Sequence, residues 1–360
     1  MSLAQPKRIL IIKLRHHGDV LLSTPVVDAL KTHFPDCEID MLVYAGTGQL
    51  IADNPQIAQI FTIDRNWKKL GVFKQLACEK NLFSKLKARD YDWAFNLSDQ
   101  WRAAVIAKLC ARCSVGFDCI KRDGFWWRFC HDFINHELDP SHHIVENQLN
   151  ILAPLIQPED VTDAKVRLWV AQDARESMQQ KLREQGWSGE DYVLLHPGAR
   201  WHFKCWEDGK NSAIVQLLLN SGQNVVLTAS PDTVEQYMLQ EIIGRLNIPE
   251  GGKVWVLSGC LSLRELAAAI EGAKLFVGVD SAPMHIAAAL DKPQIALFGA
   301  SWVDKWRPYS EQAEVIYAGD YAELPHPDSI DTNDPTRLLK AIPLQDVWDK
   351  ISAKLEALEA

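Results

Sequence analysis

From Arg8 to Gly299 the chain repeats one unit: a short run rich in β-branched residues, then a longer stretch with helical spacing. That alternation constrains the fold more than any other feature. Consecutive βα units pair their strands in parallel, and a parallel sheet must be covered by helices on both faces. The first series predicts strands over 8–13, 39–44, 60–63, 93–97 and 114–117. Its predicted helices cover 19–34, 68–89, 103–111 and 144–155. A polar join near 157–190 separates a second series, with strands at 166–170, 192–195, 224–228 and 254–257, then a βα unit over 276–299. The expected fold is α/β, with two doubly wound, Rossmann-like parallel-sheet domains facing a cleft, over 1–170 and 171–343. A last helix over 344–360 is expected to pack back on the N-terminal domain.

A chain of 360 residues exceeds one ordinary core. No stretch approaches the ~20 apolar residues that span a bilayer. The apolar run Ile9–Ile12 is too short for a signal peptide and meets Lys13, so a cytoplasmic protein is expected. Eight cysteines in such a chain read as reduced thiols. Cys110, Cys113, Cys119, Cys130 and His131 have a loose zinc-like spacing, but Cys110 ends a helical pattern and Cys113 opens a strand, so buried thiols are the better reading. Net charge is −9, yet residues 65–128 hold 14 basic against 6 acidic residues. A basic patch on an acidic protein suggests an anionic partner for that domain, or solvated helix faces. The acidic balance and the lack of a recognition-helix signature argue against nucleic acid.

Three loops at predicted strand ends carry chemistry. In open α/β sheets ligands sit at the carboxyl edge of the strands. After the first strand come Arg15-His16-His17-Gly18-Asp19; Gly18 permits a sharp turn, and Asp19 is either a helix cap or a general base. After the strand at 192–195 come Pro197-Gly198-Ala199-Arg200-Trp201-His202-Phe203-Lys204 and, two residues on, Trp206. Arg200 and Lys204 are cations suited to a diphosphate, and Trp201 and Trp206 offer apolar faces to a ring. The third loop has Asp280 at a strand end and a helix opening at Ser281, Ala282 and Pro283. A helix N-terminus is a ready phosphate site, and Asp280 is either its cap or an acid for sugar hydroxyls. Gly46-Thr47-Gly48 begins a dinucleotide fingerprint, but Ile51 stands at the third glycine position, so an NAD site is rejected.

The segments RILIIKLRHHGDVLLSTPVVDAL, HPGARWHFKCW and FVGVDSAPMHIAAALDKPQIALFG, in this order, resemble the bacterial ADP-heptose–lipopolysaccharide heptosyltransferases, a GT-B glycosyltransferase family. The likeness runs from about residue 7 to 309 and is greatest to the heptosyltransferase III type. It implies inverting transfer of L-glycero-D-manno-heptose from ADP-heptose to a phosphorylated lipopolysaccharide core precursor; no metal or cofactor is expected if Lys204 and the helix N-terminus neutralise the diphosphate. It also implies peripheral contact with the cytoplasmic face of the inner membrane. By the same resemblance Asp19 matches the catalytic base and Lys204 the phosphate-binding lysine. Asp280 matches the acid that holds heptose hydroxyls, Ser281, Ala282 and Pro283 face the diphosphate, and His285 is the motif histidine. Ala199 and Arg200 join the donor loop, and Asp232 and Glu235 are candidates for the nucleoside. The acceptor is assigned to Arg65, Lys68, Lys69, Lys121, Arg122 and Arg128, with Trp67, Phe125, Trp126 and Trp127 at sugar rings or the lipid boundary. Heptosyltransferase I or II activity, a nucleotide-sugar epimerase and a non-catalytic sugar-binding protein remain open alternatives.

Overall fold

The computed structural model describes all residues except 1–4, 119–121, 123, 136–138, 140, 157–164, 333 and 360. The chain divides into two compact units, Met1–Trp169 and Val170–Ala360. The first contains β1 (Arg8–Lys13), β2 (Glu38–Tyr44), β3 (Gln59–Ile63), β4 (Tyr91–Asn96), β5 (Ala111–Phe117) and β6 (Phe133–Asn135). The second contains β7 (Val193–His196), β8 (Val225–Ala229), β9 (Val254–Ser258), β10 (Leu275–Val279), β11 (Gln294–Phe298) and β12 (Ala313–Tyr317).

Each unit holds a six-stranded parallel sheet, ordered β3-β2-β1-β4-β5-β6 in the first and β12-β11-β10-β7-β8-β9 in the second. Counted within its own unit, each sheet has the same order. The order reverses between β1 and β4 and between β7 and β10, and such switch points open a crevice at the carboxyl edge. Side-chain alternation explains the strands. Ile9 and Ile11 enter one core with the helix Thr24–His33, while Leu10 and Ile12 enter another with the helices Val72–Ala88 and Trp101–Cys110. Both faces are buried, so the strand reads as a continuous apolar run. Each such side chain contributes about 1.5–3 kcal/mol of burial.

Several elements depart from the sequence reading. The helix expected over 19–34 is two, His17–Leu21 and Thr24–His33. Pro25 has no N–H to donate, and the Ser23 and Thr24 hydroxyls donate to the Val20 and Leu21 carbonyls, which ends the first helix. Residues 166–170 form no strand. They cross the helix Thr24–His33, where Arg167 N–H donates to Thr24 and its guanidinium pairs with Asp28 at 3.0 Å. The short strands β6 and β12 and the helix Phe125–Phe129 lacked a clear periodic signal. The last helix, Leu344–Glu359, belongs to the second unit. Val347, Ile351 and Leu355 are buried in the core of the second, beside the helix Asp208–Asn220. No helix among the described residues is long and apolar enough to cross a membrane.

Candidate active site

In the second unit the switch point brings the loops after β7 and β10 together. His196 and Gly278 stand opposite each other in the ladder, so both loops leave the sheet side by side. The β7 loop tightens into a 3₁₀ turn, His202–Lys204, and aims the Lys204 ammonium at Asp280, with Nζ–Oδ2 2.5 Å. The two side chains are only 15% and 7% exposed. Asp280 is therefore not a helix cap: Ser281 occupies the N-cap of the helix Ala282–Ala289, and its hydroxyl donates to Val279 O instead of capping. The first turn, with Pro283, has no side-chain cap and keeps the partial positive charge of a helix start. His285 lies one turn in and is buried.

Lys204 Nζ sits 5.1 Å from the Trp201 ring centre and Arg200 at 5.8 Å, so one indole carries two cations. Trp201 stacks on Phe203 at 6.0 Å and 11°. Trp206 offers no face to a ligand, since it is buried and donates to Ile342 O. The Ala199 side chain is buried in the same core. Arg337 was not read from sequence. It donates to His202 Nε2 at 2.7 Å, to Trp206 O, and pairs with Asp208, and so pins the turn that carries Lys204. Burial first, then the Arg337 charge, keeps His202 below its ordinary pKa.

Beneath this loop lies a buried polar pair. His196 Nδ1 meets Thr228 Oγ1 at 2.9 Å, and its Nε2 is 3.7 Å from Glu235 Oε2. Burial outweighs the Glu235 charge and keeps His196 neutral, below its ordinary pKa. Glu235 accepts Ser230 N–H, and Gly198 lies directly on the carboxylate: a Cβ there would stand 2.6 Å from Oε2. Asp232 is exposed and caps the helix Thr233–Ile243 through the N–H groups of Val234 and Glu235. The structure thus groups Ala199, Arg200, Lys204, Asp280 and Ser281–Pro283 at one edge. Glu235 is buried under it, and the Asp232 carboxylate is engaged as a cap.

In the first unit the corresponding edge is tied at its switch point. Leu14 N–H donates to Ser98 Oγ at 2.6 Å, Gln100 donates back to Leu14 O, and Arg15 pairs with Asp99 at 2.8 Å. Asp19 lies in the first turn of the helix His17–Leu21, partly exposed, and accepts His16 N–H at 3.3 Å. It is not the N-cap, which is His16. Gly18 sits inside this helix rather than at a left-handed turn. Arg65 stacks over Tyr44 at 4.1 Å and lies near enough to help burial hold the His17 pKa down. Arg122 donates to Asp99 O, joining this edge. Arg128 pairs with Asp118 at 3.7 Å, and Lys68 and Lys69 are exposed on the turn that Arg65 opens. Trp127 is core. Lys121 lies outside the described residues.

The described cysteines are free, and burial pushes the thiols of Cys110 and Cys113 up to about 11. Among the described residues no group of three or more His, Cys, Asp or Glu side chains is placed to hold a metal.

The family model described as glycosyltransferase family 9 (heptosyltransferase) matches residues 80–336. Lipopolysaccharide heptosyltransferase 3 of Escherichia coli K12 is 37% identical over 339 residues, covering 93% of this chain and 94% of that protein. Lipopolysaccharide heptosyltransferase 2 of Salmonella typhimurium is 24% identical over 359 residues, 93% of this chain and 97% of its own. Among solved structures, a family 9 glycosyl transferase from Veillonella parvula superposes with a TM-score of 0.84 at 21% identity, covering 99% of each chain. E. coli ADP-heptose lps heptosyltransferase II gives 0.77 at 22%, covering 98% of this chain and all of its own. These two share the fold. The family model and the 37% relative establish more: the chain belongs to glycosyltransferase family 9, the heptosyltransferases, and is a glycosyltransferase.

Proposed function

We propose that this chain moves L-glycero-D-manno-heptose from ADP-heptose to a heptose of the lipopolysaccharide inner core, with inversion, in the manner of a heptosyltransferase III. The 37% identity to lipopolysaccharide heptosyltransferase 3 supports this acceptor class over those of types I and II, to whose members the chain is 21–24% identical. The observation that carries the donor assignment is the Lys204–Asp280 pair beside an uncapped helix N-terminus at the β7/β10 switch point.

In this reading the ADP diphosphate lies against Ser281, Ala282 and Pro283, with Lys204 and Arg200 over it. The heptose hydroxyls donate hydrogen bonds to Lys204's partner, Asp280. As the glycosidic bond stretches, negative charge grows on the leaving phosphate, and fixed cations and N–H dipoles stabilise it without reorganising. The acceptor hydroxyl, held at the carboxyl edge of the first unit, attacks the anomeric carbon while Asp19 takes its proton. A general base of this kind contributes typically ~10²–10⁴-fold. Arg65 and Arg122 lie at that edge and suit the phosphates of a core precursor, with Lys68, Lys69 and Arg128 farther out. The lipid on that precursor would hold the enzyme peripherally at the cytoplasmic face of the inner membrane.

Lys204, Arg200 and the helix N-terminus take the diphosphate charge, so no metal or cofactor is required in this reading. The test is incubation with ADP-heptose and a heptosylated, phosphorylated Kdo-lipid, followed by mass spectrometry of the lipid, in magnesium and in EDTA. A gain of one heptose, equal in both, is expected. Donor consumed with no gain on the lipid would point to an epimerase or hydrolase, and a gain lost in EDTA would overturn the metal-free reading.

A further inference from the structure

Exposed large apolar side chains are unevenly placed. In the second unit Val234 and Tyr237 lie one turn apart on the helix Thr233–Ile243, and the others are scattered singly, as on any protein surface. Among the described residues of the first unit all of them fall between Leu70 and Phe133. Phe73, at the start of the helix Val72–Ala88, is 89% exposed, and Leu76 follows one turn later. Trp101 opens the next helix, Trp101–Cys110, and Phe125, Trp126 and Phe129 form an exposed aromatic cluster on the helix Phe125–Phe129.

These three helices lie next to one another on one face of the sheet. The first two bury Leu82, Leu86, Ala103 and Ile106 against Leu10 and Ile12, and Arg102 pairs with Glu79 between them at 2.6 Å. Trp127 of the third helix packs on Ala104 and meets Trp101 edge-on at 5.7 Å. Each helix runs from the carboxyl end of one strand back to the start of the next parallel strand. Their first turns, which carry Phe73, Trp101 and Phe125, therefore stand at the carboxyl edge of the sheet, the edge that bears Asp19.

Positive charge dominates beside the first of these helices. Between Arg65 and Lys80 stand Arg65, Lys68, Lys69, Lys74 and Lys80 against a single acid, Glu79, which Arg102 already neutralises. Exposed aromatic rings rimmed by lysines match the chemistry of an anionic lipid interface. The rings enter the headgroup boundary and the ammonium groups meet phosphate. Exposed apolar side chains gathered on neighbouring helices of one face mark a surface that meets a partner.

We propose that this helix face docks on an anionic phospholipid bilayer, with the first turns at 72–76, 101 and 125–129 in the headgroup layer and the Asp19 edge turned towards it. The proposal deepens the reading above, in which the acceptor is carried on a lipid, and names the surface that meets the membrane. It is tested on the full chain by co-sedimentation with vesicles of phosphatidylcholine alone and of phosphatidylcholine with phosphatidylglycerol. Wild type is compared with Phe73→Asp/Leu76→Asp and with Phe129→Ser. Heptose transfer to a water-soluble, delipidated core oligosaccharide is followed in parallel.

Wild type should bind the anionic vesicles, release in high salt, and ignore phosphatidylcholine. The double variant should bind about tenfold or more weakly, while turnover of the soluble acceptor is unchanged in all three proteins. Equal vesicle binding by wild type and variants would overturn the proposal, as would no binding by wild type. A parallel loss of soluble-acceptor turnover would make the patch part of the acceptor site, and a wild-type dimer that the variants dissociate would make it a self-interface. Vesicle binding without turnover of any acceptor would instead overturn the proposed transferase specificity and leave the docking surface standing.

Discussion

Lys204 and Asp280 hold each other where water barely reaches, so neither can be removed alone without cost. Breaking a buried pair leaves an uncompensated charge, typically worth about 3–5 kcal/mol. Lys204→Ala should therefore lower the unfolding midpoint and abolish ADP affinity. Lys204→Ala/Asp280→Asn should recover much of the midpoint by thermal denaturation but none of the ADP binding by calorimetry. If the double variant binds ADP, the lysine is structural. His196 gives a second residue-level expectation. Its folded pKa lies below the ordinary 6.5 because burial disfavours the imidazolium, and His131 is buried and shifted the same way. The unfolded chain takes up protons that these rings refuse. Their contribution is therefore full above about pH 6.5 and falls as pH drops through that value, by up to ~1.4 kcal/mol per pH unit for each ring. Chemical denaturation near pH 7.5 and near 5.5 checks this, and equal stability at the two would contradict it. The strand-end positions of Asp19 and Asp280 and the loop that carries Lys204 were legible because each lies beyond a short apolar run, at the edge where ligands sit. Arg337 and Thr228 were not, since their partners lie far along the chain and only the fold brings them together.

At the scale of elements, the loop after β7 is positioned from below. Gly198 rests on the Glu235 carboxylate so closely that an added methyl would stand 2.6 Å from it. The carboxylate is tied to Ser230 N–H and buried beside His196, so it has little room to withdraw. Gly198→Ala should lift the loop, raise the donor KM about tenfold or more, and leave the acceptor KM unchanged. Steady-state kinetics with each substrate varied in turn would show it, and an equal rise in both constants would refute the assignment of this loop to the donor. The same scale shows where sequence reading loses resolution. Apolar spacing marked a helix across 19–34, yet hydroxyls at Ser23 and Thr24 and the missing N–H of Pro25 break it. The run at 166–170 has a strand's composition, but Arg167 donates its N–H to the Thr24 hydroxyl of a neighbouring helix, not to a strand.

For the molecule as a whole, the alternation of βα units made two doubly wound sheets legible. The strand order was not, because order depends on which strand each helix returns to. Nor was the seat of the last helix. Val347, Ile351 and Leu355 show that it has one apolar face, and spacing cannot say which core receives that face. The structure gives it to the second unit, whose core it completes. Two sheets with one topology then present two equivalent edges, one with Lys204 and Asp280, the other with Asp19 and Arg65. In the proposed function these edges divide the work, donor charge on one and proton removal on the other. The most direct test is Asp19→Asn, measured for heptose transfer to the lipid acceptor and for ADP affinity. The division predicts a loss of kcat of about 10²-fold or more with ADP affinity within about twofold of wild type. Retained turnover, or ADP affinity lost along with it, would contradict the claim.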